Sequence, residues 1–600
     1  MNKRLAVLSS TLLCLSLCYC SNNNVDYTEK ELNVYTKAEK KEEKITPTAT
    51  STYKVRFYND YPNVPFTNPY DYFNAFFKTE LKKEVVGNST YKYINSLNDY
   101  IAFNAGEDLF ITNGVRSYNS HPDATSETGK LFLKDLGSDK TTPLVKSIAL
   151  SNYNIDVKSD GKDAYVPLTL LSKLAGGFMG YNIQYNGKDL YVIDGQAQLT
   201  PEVRKDAYYG PQYYEVLDDF TTTRPVDLAK YTYNELCFVF DNLRGYTSQL
   251  HMIDNNLLSL GLNGVLEQYR PKIKEYLLST DKQNYYAGLF ALFGGLNDGG
   301  HTAITTTSEG FKTGSSKASE IEGLKDWASS FVTMVLNKQM NTLTFDNYKA
   351  GLLGMKTPDF VNNSYYYLKD DASKTAYIGF DHFEVDYRGW DNYYNGKGEI
   401  PSSKDSYSFI RDKFYQAKKD GIKNLVIDLT SNGGGDSSAL MGIVGLLNGA
   451  KADFAANDTL IRSRTTQKYA VDINLDGKFD DADAEELKQF DFNVGILTTS
   501  SSFSCGNLLP SLLKEMGYKI IGEKSGGGSC AIIMESTADG VCYGHSSYYC
   551  LSDATGNNID SGVPVDFIRE RLALPTGMFD PSEFFDFAAI GEYLSSAYQK

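Results

Sequence analysis

The sequence predicts an α/β (α+β) protein: a mostly parallel βαβ core, preceded by a helical bundle and a β-rich N-terminal domain. Short apolar runs at 424–429 and 494–497 each lead into a turn and then a helical pattern. This strand–turn–helix succession is typical of βαβ units. Between residues 213 and 297 the apolar residues recur at helical spacing, whereas residues 53–194 show strand-like runs and an Asn186-Gly187 hairpin signal.

The 600 residues exceed what one hydrophobic core normally holds, so several domains are expected. We place the boundaries where the residue pattern changes. The predicted segments are an export signal (1–20), a disordered tether (21–51), a β-rich accessory domain (52–195), a helical subdomain (213–300), a linker or insert (301–374) and the α/β core (375–600). The tether prediction depends on its Lys, Glu and Thr content and its few apolar residues.

The charge balance excludes one class of partner. The formal net charge is −16, and no long basic cluster interrupts the acidic chain. Proteins that bind nucleic acid usually present basic patches, so we expect no nucleic-acid partner.

The N-terminus has the pattern of an export signal. Lys3 and Arg4 precede an apolar run, Leu5–Leu17, that is short for a membrane span. The following Cys20 resembles the lipidated cysteine of bacterial lipoproteins, although Tyr19 is larger than the residue usual at that position. We therefore expect an exported protein, extracellular or in the cell envelope. Membrane attachment through a lipidated Cys20 and simple secretion are both open.

Four of the eight cysteines lie close together near the C-terminus: Cys505, Cys530, Cys542 and Cys550. An exported chain can form disulfides, and Cys542 with Cys550, or Cys530 with either, are the candidate pairs. No CxxC pair occurs among them, so a zinc site is not expected.

Ser504 is the candidate nucleophile. It follows the apolar run at 494–497 and precedes a helical pattern with one leucine-rich face. A serine between a strand and a helix is exposed, and the amides of the first helical turn are free to stabilise an oxyanion. Ser502 and Cys505 are alternative nucleophiles. The structural alternative is that this serine only caps the helix.

A glycine turn, Gly433-Gly434-Gly435, follows the strand at 424–429. Glycines at a strand end let the backbone approach a ligand and direct N–H groups at it. A phosphate-binding P-loop is disfavoured because no Lys-Ser/Thr pair follows the glycines.

Two histidines are candidates for a general base. His301 follows a Gly-Gly turn in the segment NDGGHT, where it is free to face a cleft. His382 alternates with phenylalanines and fits a strand end better.

Three blocks resemble the C-terminal processing (tail-specific) and tricorn-type serine peptidases over roughly residues 215–590. The blocks are NLVIDLTSNGGGD, FSCGNLLPSLLKEMGYKIIGEKSGG and NDGGHT. The resemblance implies Ser504 as nucleophile and His301 as its base. It further implies an oxyanion hole made by the Cys505 amide with that of Gly433 or Gly434.

The sequence departs from the lysine-dependent branch of that family. Glycine stands where the branch has its lysine, and Lys524 lies too close to Gly522 to replace it. The histidine branch is therefore favoured, since imidazole accepts a proton readily near neutral pH. In tricorn-type enzymes a glutamate contributes to the histidine network. Asp560 stands one residue closer to the following glycine here and is the predicted counterpart.

We predict an exported serine endopeptidase that hydrolyses polypeptide substrates. A catalytically inactive surface binding protein of the same fold is one alternative, since the lysine is missing and Asp560 is displaced. A serine hydrolase acting on non-peptide esters is another. A metallopeptidase is disfavoured because no HExxH motif occurs among the five histidines.

The segment 472–483 has the ligand spacing of an EF-type calcium loop, with Gly477 at its sixth position. The predicted ligands are Asp472, Asn474, Asp476, the Lys478 carbonyl, Asp480 and Asp483. Aspartate at position twelve resembles dockerin-type loops. We predict structural Ca²⁺, with no cofactor for catalysis; the alternative is a solvated acidic turn.

Overall fold

The structure, a computed structural model, describes most of the chain. The described ranges are 27–36, 49–119, 130–175, 181–194, 210–245, 256–306, 308–402, 404–553, 555–574 and 579–599. The predicted export signal and Cys20 lie outside them.

The N-terminal part of the described chain consists of strands with two short helices. They are β1 (Tyr27–Tyr35), β2 (Ser51–Tyr58), β3 (Tyr61–Thr67), α1 (Pro69–Phe77), β4 (Lys82–Val86), β5 (Thr90–Ile94), β6 (Tyr100–Asn104), β7 (Leu109–Thr112), β8 (Leu133–Lys140), β9 (Lys146–Ala149), β10 (Lys158–Ser159), β11 (Ala164–Pro167), α2 (Leu168–Ala175), β12 (Tyr181–Tyr185) and β13 (Leu190–Asp194). One sheet has the order β10-β11-β3-β2-β1-β13-β12, and a second has the order β4-β5-β6-β7-β9.

The predicted disordered tether is wrong at β1. This strand pairs antiparallel with β2 from Tyr27 opposite Tyr58 to Val34 opposite Ser51. Its Leu32 and Val34 are buried, while most of its other residues are exposed. A strand with one charged face has the polar composition of a tether. Only its two buried apolar residues, two positions apart, distinguish it.

A helical region follows. Its elements are α3 (Gly210–Asp218), α4 (Val226–Asn242), α5 (Asn256–Tyr269), α6 (Pro271–Leu277), α7 (Lys282–Gly295), β14 (Ala303–Ile304), α8 (Glu309–Ser316), α9 (Lys325–Leu352) and α10 (Thr357–Asn362). None of the described helices combines the length and apolar character needed to cross a bilayer.

The predicted linker at 301–374 contains the long helix α9. Trp327 near its start and Phe345 near its end are buried against neighbouring helices and the core. Between 329 and 343 no described residue is buried. The helix is therefore anchored at both ends, and its middle borders an open cleft.

The C-terminal part contains the predicted α/β core. Its elements are β15 (Tyr366–Asp370), β16 (Thr375–Gly379), α11 (Tyr387–Tyr394), α12 (Ser406–Lys419), β17 (Asn424–Asp428), α13 (Ser437–Leu447), β18 (Lys451–Asp458), β19 (Ser463–Val471), α14 (Asp481–Leu487), β20 (Asn493–Thr498), α15 (Cys505–Glu515), β21 (Lys519–Gly522), β22 (Cys530–Ser536), β23 (Cys542–Ser552), β24 (Phe567–Ile568), β25 (Leu572–Ala573), β26 (Phe579–Asp580) and α16 (Phe587–Tyr598).

The main core sheet confirms the predicted parallel architecture. Its order is β15-β16-β17-β20-β21-β24, and every neighbouring pair is parallel except β15 with β16. All residues of β16 and β17 are buried, as expected for central strands covered on both faces. The sheet begins at β15, earlier than the predicted boundary at residue 375. The carboxyl ends of β17 and β20 lie side by side, so the glycine turn and the serine turn meet.

A second sheet connects the N-terminal part to the core. Its order is β14-β23-β18-β19-β8, with β22 paired to β23. Strand β8 comes from the predicted accessory domain but pairs with β19. The preceding Phe132 stacks on Tyr407, with ring centroids 4.1 Å apart. Residues 52–195 therefore share a sheet and a hydrophobic cluster with the core.

Candidate active site

Ser504 occupies a strained position at the start of α15. Its backbone has φ 56° and ψ −120°, in a region where L-residues other than glycine are uncommon. The Ser504 N–H donates to the Gly527 carbonyl at 2.9 Å, which holds the strained turn. Ser504 is half-buried while its immediate neighbours are buried. The local fold thus presents this serine at the surface of a rigid turn.

The glycine turn packs directly against Ser504. A Cβ atom at Gly434 would lie 2.7 Å from the Ser504 Cβ and 2.9 Å from the Phe503 carbonyl oxygen. Gly434 also has φ 108°, which favours glycine. Both steric and backbone reasons therefore require glycine there, and this close approach brings the two predicted turns together.

The backbone amides around Ser504 divide into engaged and free groups. The Gly434 N–H donates to Asn432 Oδ1 at 2.9 Å. Among the described residues, the amides of Gly433 and Cys505 have no hydrogen-bond acceptor. Of the two glycines proposed for the oxyanion hole, the structure therefore leaves Gly433 available and not Gly434.

The alternative nucleophiles have structural roles. The Ser502 hydroxyl is fully buried and donates to the Leu429 carbonyl at 2.7 Å. Burial raises the pKa of the Cys505 thiol to about 12, and its Sγ contacts the Gly435 carbonyl oxygen at 3.1 Å. Neither side chain is positioned as a reactive nucleophile.

His301 lies in the same region as Ser504. Its ring packs edge-on against Phe503, the residue before Ser504, with centroids 5.0 Å apart. Its Nδ1 lies 3.4 Å from Ser546 Oγ, and the nearby Cys530 backbone acts to raise the pKa of the imidazole. Within the described chain, no hydrogen bond joins His301 to Ser504. The other candidate, His382, is exposed.

The buried carboxylate of Asp298 is connected to the His301 imidazole by the Ser546 hydroxyl, which contacts both groups. Asp298 accepts the His301 backbone N–H at 3.0 Å and the Ser546 hydroxyl at 2.5 Å. Arg244 forms an ion pair with it at 3.5 Å. No sequence pattern singled out Ser546 or Arg244. The position of Asp298 three residues before His301 was the one sequence feature that could have indicated a carboxylate near the imidazole.

Asp560, the predicted contributor to the histidine network, makes no hydrogen bond to the imidazole within the described residues. Its Oδ1 accepts the backbone N–H groups of Gly528 and Ser529, both at 2.8 Å. Its carboxylate still acts on His301 electrostatically. The contact with the imidazole Nδ1 comes instead from Ser546 on β23, at 3.4 Å.

The pKa values in this network are shifted by burial and charge. Burial lowers the pKa of His301, and the opposing effects of Asp298 and Asp560 do not restore it. Burial alone would raise the pKa of Asp298, but Arg244 and His301 outweigh it and lower the pKa below its usual value. The site therefore combines a neutral imidazole with a charged carboxylate at neutral pH.

A cleft of about 600 Å³ opens beside this network. Its lining includes Gly299, Lys338, Ser500, Ser501, Phe503 and Gly526. The Lys338 ammonium lies 4.7 Å from the Phe503 ring centroid and 3.3 Å from the Gly299 carbonyl oxygen. Burial lowers the pKa of Lys338. The cleft is large enough for several side chains of a bound chain.

The predicted calcium loop has mixed features. Asp472 accepts the Gly477 N–H at 2.8 Å, and Asp483 accepts the Ile473 N–H at 2.7 Å. The fully buried Asp472 Oδ1 and the Tyr394 hydroxyl each lack a partner at hydrogen-bond distance, although the two groups lie close enough for the hydroxyl to lower the pKa of Asp472. In the part of the chain that the structure describes, no three His, Cys, Asp or Glu side chains are arranged to hold a metal ion. The unpaired oxygen fits a cation, and calcium binding stays a prediction.

Comparison with solved structures gives matches of low identity. The photosystem II D1 C-terminal processing protease matches at 18% identity over 36% of this chain and 46% of that chain, with a TM-score of 0.25. The tricorn protease matches at 18% identity over 38% and 18% of the two chains, with a TM-score of 0.22. A Parabacteroides merdae ATCC 43184 protein matches at 13% identity over 55% and 89%, with a TM-score of 0.34.

This chain spans less than half the length of the first two of these proteins. No curated protein matches it. Residues 374–567 match the family model of peptidase family S41, and this range holds the glycine turn, Ser504 and the strand that carries Ser546. The segment 374–567 is therefore similar to peptidase family S41, which agrees with the family predicted from the glycine-turn and nucleophile-helix blocks.

Proposed function

We propose that the protein is an exported serine endopeptidase with Ser504 as its nucleophile. One observation carries the proposal: a serine in a strained backbone conformation lies against a glycine turn, beside two amides without acceptors. Helix capping alone does not account for it, since the Ser504 side chain makes no capping hydrogen bond to α15. Strain of this kind persists where function requires it.

The reaction would follow from these groups. Ser504 Oγ attacks the carbonyl carbon of the peptide bond while its proton passes to the neutral His301 imidazole. The Gly433 and Cys505 amides donate to the oxyanion that forms. His301 then gives the proton to the leaving amine, and an acyl-enzyme remains. Water, deprotonated by the same imidazole, releases the acid and restores Ser504.

The imidazole must approach Ser504 for this step. The present geometry has the ring against Phe503 and not hydrogen-bonded to Ser504. Hydrogen bonds of this kind are often long before substrate binds. We propose that a polypeptide in the cleft beside Phe503 completes the contact, while Ser546 and Asp298 hold the ring from its other side.

A fluorophosphonate probe tests the nucleophile assignment. We expect one covalent adduct on Ser504, found by mass mapping, and no adduct on a Ser504→Ala variant. Ser596→Ala is the matched control because this hydroxyl only bonds its own helix, at the Tyr593 carbonyl. An adduct on a different serine would overturn the assignment.

The same experiment separates the alternatives. A folded protein that the probe does not label supports the reading as a surface binding protein without catalysis. Labelling with turnover of esters but not of unfolded polypeptides supports a non-peptide hydrolase. Peptide-bond cleavage that Ser504→Ala abolishes supports the endopeptidase.

Export and membrane attachment rest on residues 1–20, which lie outside the described residues. We propose export by this signal, with Cys20 as the site of attachment. Cell fractionation of the full chain and of a Cys20→Ala variant tests this. Release of the variant from the membrane fraction is the expected result, and identical fractionation of both would show that Cys20 is not the anchor.

A further inference from the structure

Cys530 and Cys550 lie opposite each other on the neighbouring strands β22 and β23. The Leu551 N–H donates to the Ser529 carbonyl at 2.8 Å, whereas the Ser529 N–H donates to Asp560, so a single ladder bond flanks the cysteine pair on this side. In an antiparallel ladder a bond in that position flanks a non-hydrogen-bonded pair, and in regular strands the Cα atoms of such a pair are about 4.5 Å apart. That separation lies within the range that a disulfide spans.

The two sulfur atoms face each other. Their Sγ atoms are 3.0 Å apart, and both side chains are buried. Gly245 closes the space above them, since a Cβ atom there would lie 2.5 Å from each sulfur. The packing thus holds the pair together and leaves no room for another ligand on that side.

The remaining described cysteines have other contacts. Cys542 lies on the same strand as Cys550, eight residues away, and pairs across the ladder with Ser536. Cys505 contacts the Gly435 carbonyl, and Cys237 lies in α4. The structure therefore excludes Cys542 as a partner of Cys550 and leaves one pairing.

We propose that Cys530 and Cys550 form a structural disulfide that links β22 to β23. The oxidant is a small-molecule or protein disulfide. Its S–S bond breaks to give two thiols, while the two cysteines lose their protons and two electrons and form one S–S bond. Burial raises the pKa of the Cys530 thiol well above its usual value. Thiolate attack is therefore slow in the folded protein, and the bond forms while the chain folds.

The disulfide would also fix the surroundings of His301. The Cys530 backbone lies near the imidazole and acts to raise its pKa, and Ser546 on β23 contacts its Nδ1. The link thus joins the two strands that supply these contacts. The proposed disulfide does not depend on the peptidase proposal, because it is inferred from the pairing of β22 with β23 and from the positions of the two sulfur atoms.

Peptide mapping tests the pairing directly. The full chain is refolded in a buffer of reduced and oxidised glutathione, denatured, alkylated without reduction and digested. We expect one cross-linked peptide pair joining Cys530 to Cys550, with Cys237, Cys505 and Cys542 alkylated. Alkylation of both Cys530 and Cys550, or a link to another cysteine, would overturn the proposal.

Two variants measure the effect of the bond. Cys530→Ala with Cys550→Ala should lower the melting temperature by about 2–3 °C in the oxidised protein. Fully reduced wild-type protein should melt close to the double variant. Cys542→Ala, on the same strand, should keep the cross-linked peptide. A double variant that melts with the oxidised wild type would contradict a stabilising disulfide.

Discussion

At the scale of single residues, the charges around His301 determine when it can act as a base. Burial and Lys338 lower the pKa of His301, while Asp298 and Asp560 raise it. The active form is the neutral imidazole, which predominates above the pKa of the folded protein. Because that pKa lies below the ordinary value of about 6.5, activity should persist at mildly acidic pH.

The pH profile of kcat/KM therefore gives the first prediction. Its acid limb should have a midpoint below about 6.5, the unperturbed value for histidine. Lys338→Met removes a cation that disfavours the imidazolium, so the limb should move to higher pH. Asp560→Asn removes an anion that favours it, so the limb should move to lower pH. Unchanged limbs in both variants would show that His301 is not the titrating base.

Ser546 gives the second prediction, because it joins the imidazole to Asp298. Ser546→Ala should lower kcat by about 10²-fold, with a smaller change in KM and slower labelling by the fluorophosphonate probe. Ser546→Thr keeps a hydroxyl and should recover part of the loss.

The matched control for Ser546 is Ser552→Ala. This serine lies on the same strand, is fully buried and its hydroxyl has no hydrogen-bond partner. If both alanine variants lose activity equally, the effect comes from the strand and not from the link between His301 and Asp298.

At the scale of elements, the loop between β19 and α14 makes a third prediction. Asp472 Oδ1 is buried without a hydrogen-bond partner, which is costly unless a cation or water satisfies it. Saturating Ca²⁺ should raise the melting temperature of the wild type by about 2–4 °C or more. A chelator should reverse the rise.

Two variants test whether the calcium-dependent shift in melting temperature comes from the predicted loop. Asp472→Asn should abolish the calcium-dependent shift, since a neutral amide is a weaker ligand for a hard cation. Glu485→Gln changes an exposed acidic residue in α14 outside the predicted ligand set and should leave the shift intact. Wild-type protein that melts identically with calcium and with chelator would favour the solvated acidic turn.

At the scale of the whole molecule, the N-terminal part shares interior contacts with both the helical region and the core. Phe132 is fully buried among core residues, and Lys173 of α2 forms a buried ion pair with Glu235 of α4 at 2.9 Å. Strand β8 completes an edge of the second sheet by pairing with β19. The N-terminal part and the core are therefore expected to stabilise each other.

The fourth prediction measures that coupling. Phe132→Ala should destabilise the protein by about 3–5 kcal/mol, as for other buried aromatic residues, and the loss should appear in the unfolding of the core. Leu136→Ala, on the exposed face of β8, should change stability by less than about 0.5 kcal/mol. Equal and small effects at both positions would show that the two parts unfold separately.

Much of the core could be predicted from the sequence because its signals are local. The strands at 424–428 and 493–498 and the helices that follow each of them lie where the residue pattern placed them. The position of Ser504 between a strand and a helix was likewise readable from one continuous stretch. The predicted boundary of the tether was wrong at β1, because a strand whose exposed face is polar has the composition of a tether.

The sequence by itself determined the parallel core, the glycine turn and the serine turn, because each follows from the periodicity of adjacent residues. Only the tertiary structure decided that Ser546 joins His301 to Asp298, that Cys530 faces Cys550, and that β8 pairs with β19. These contacts join residues far apart along the chain. Local spacing cannot specify which strand edges meet, since the pairing depends on the packing of the whole molecule.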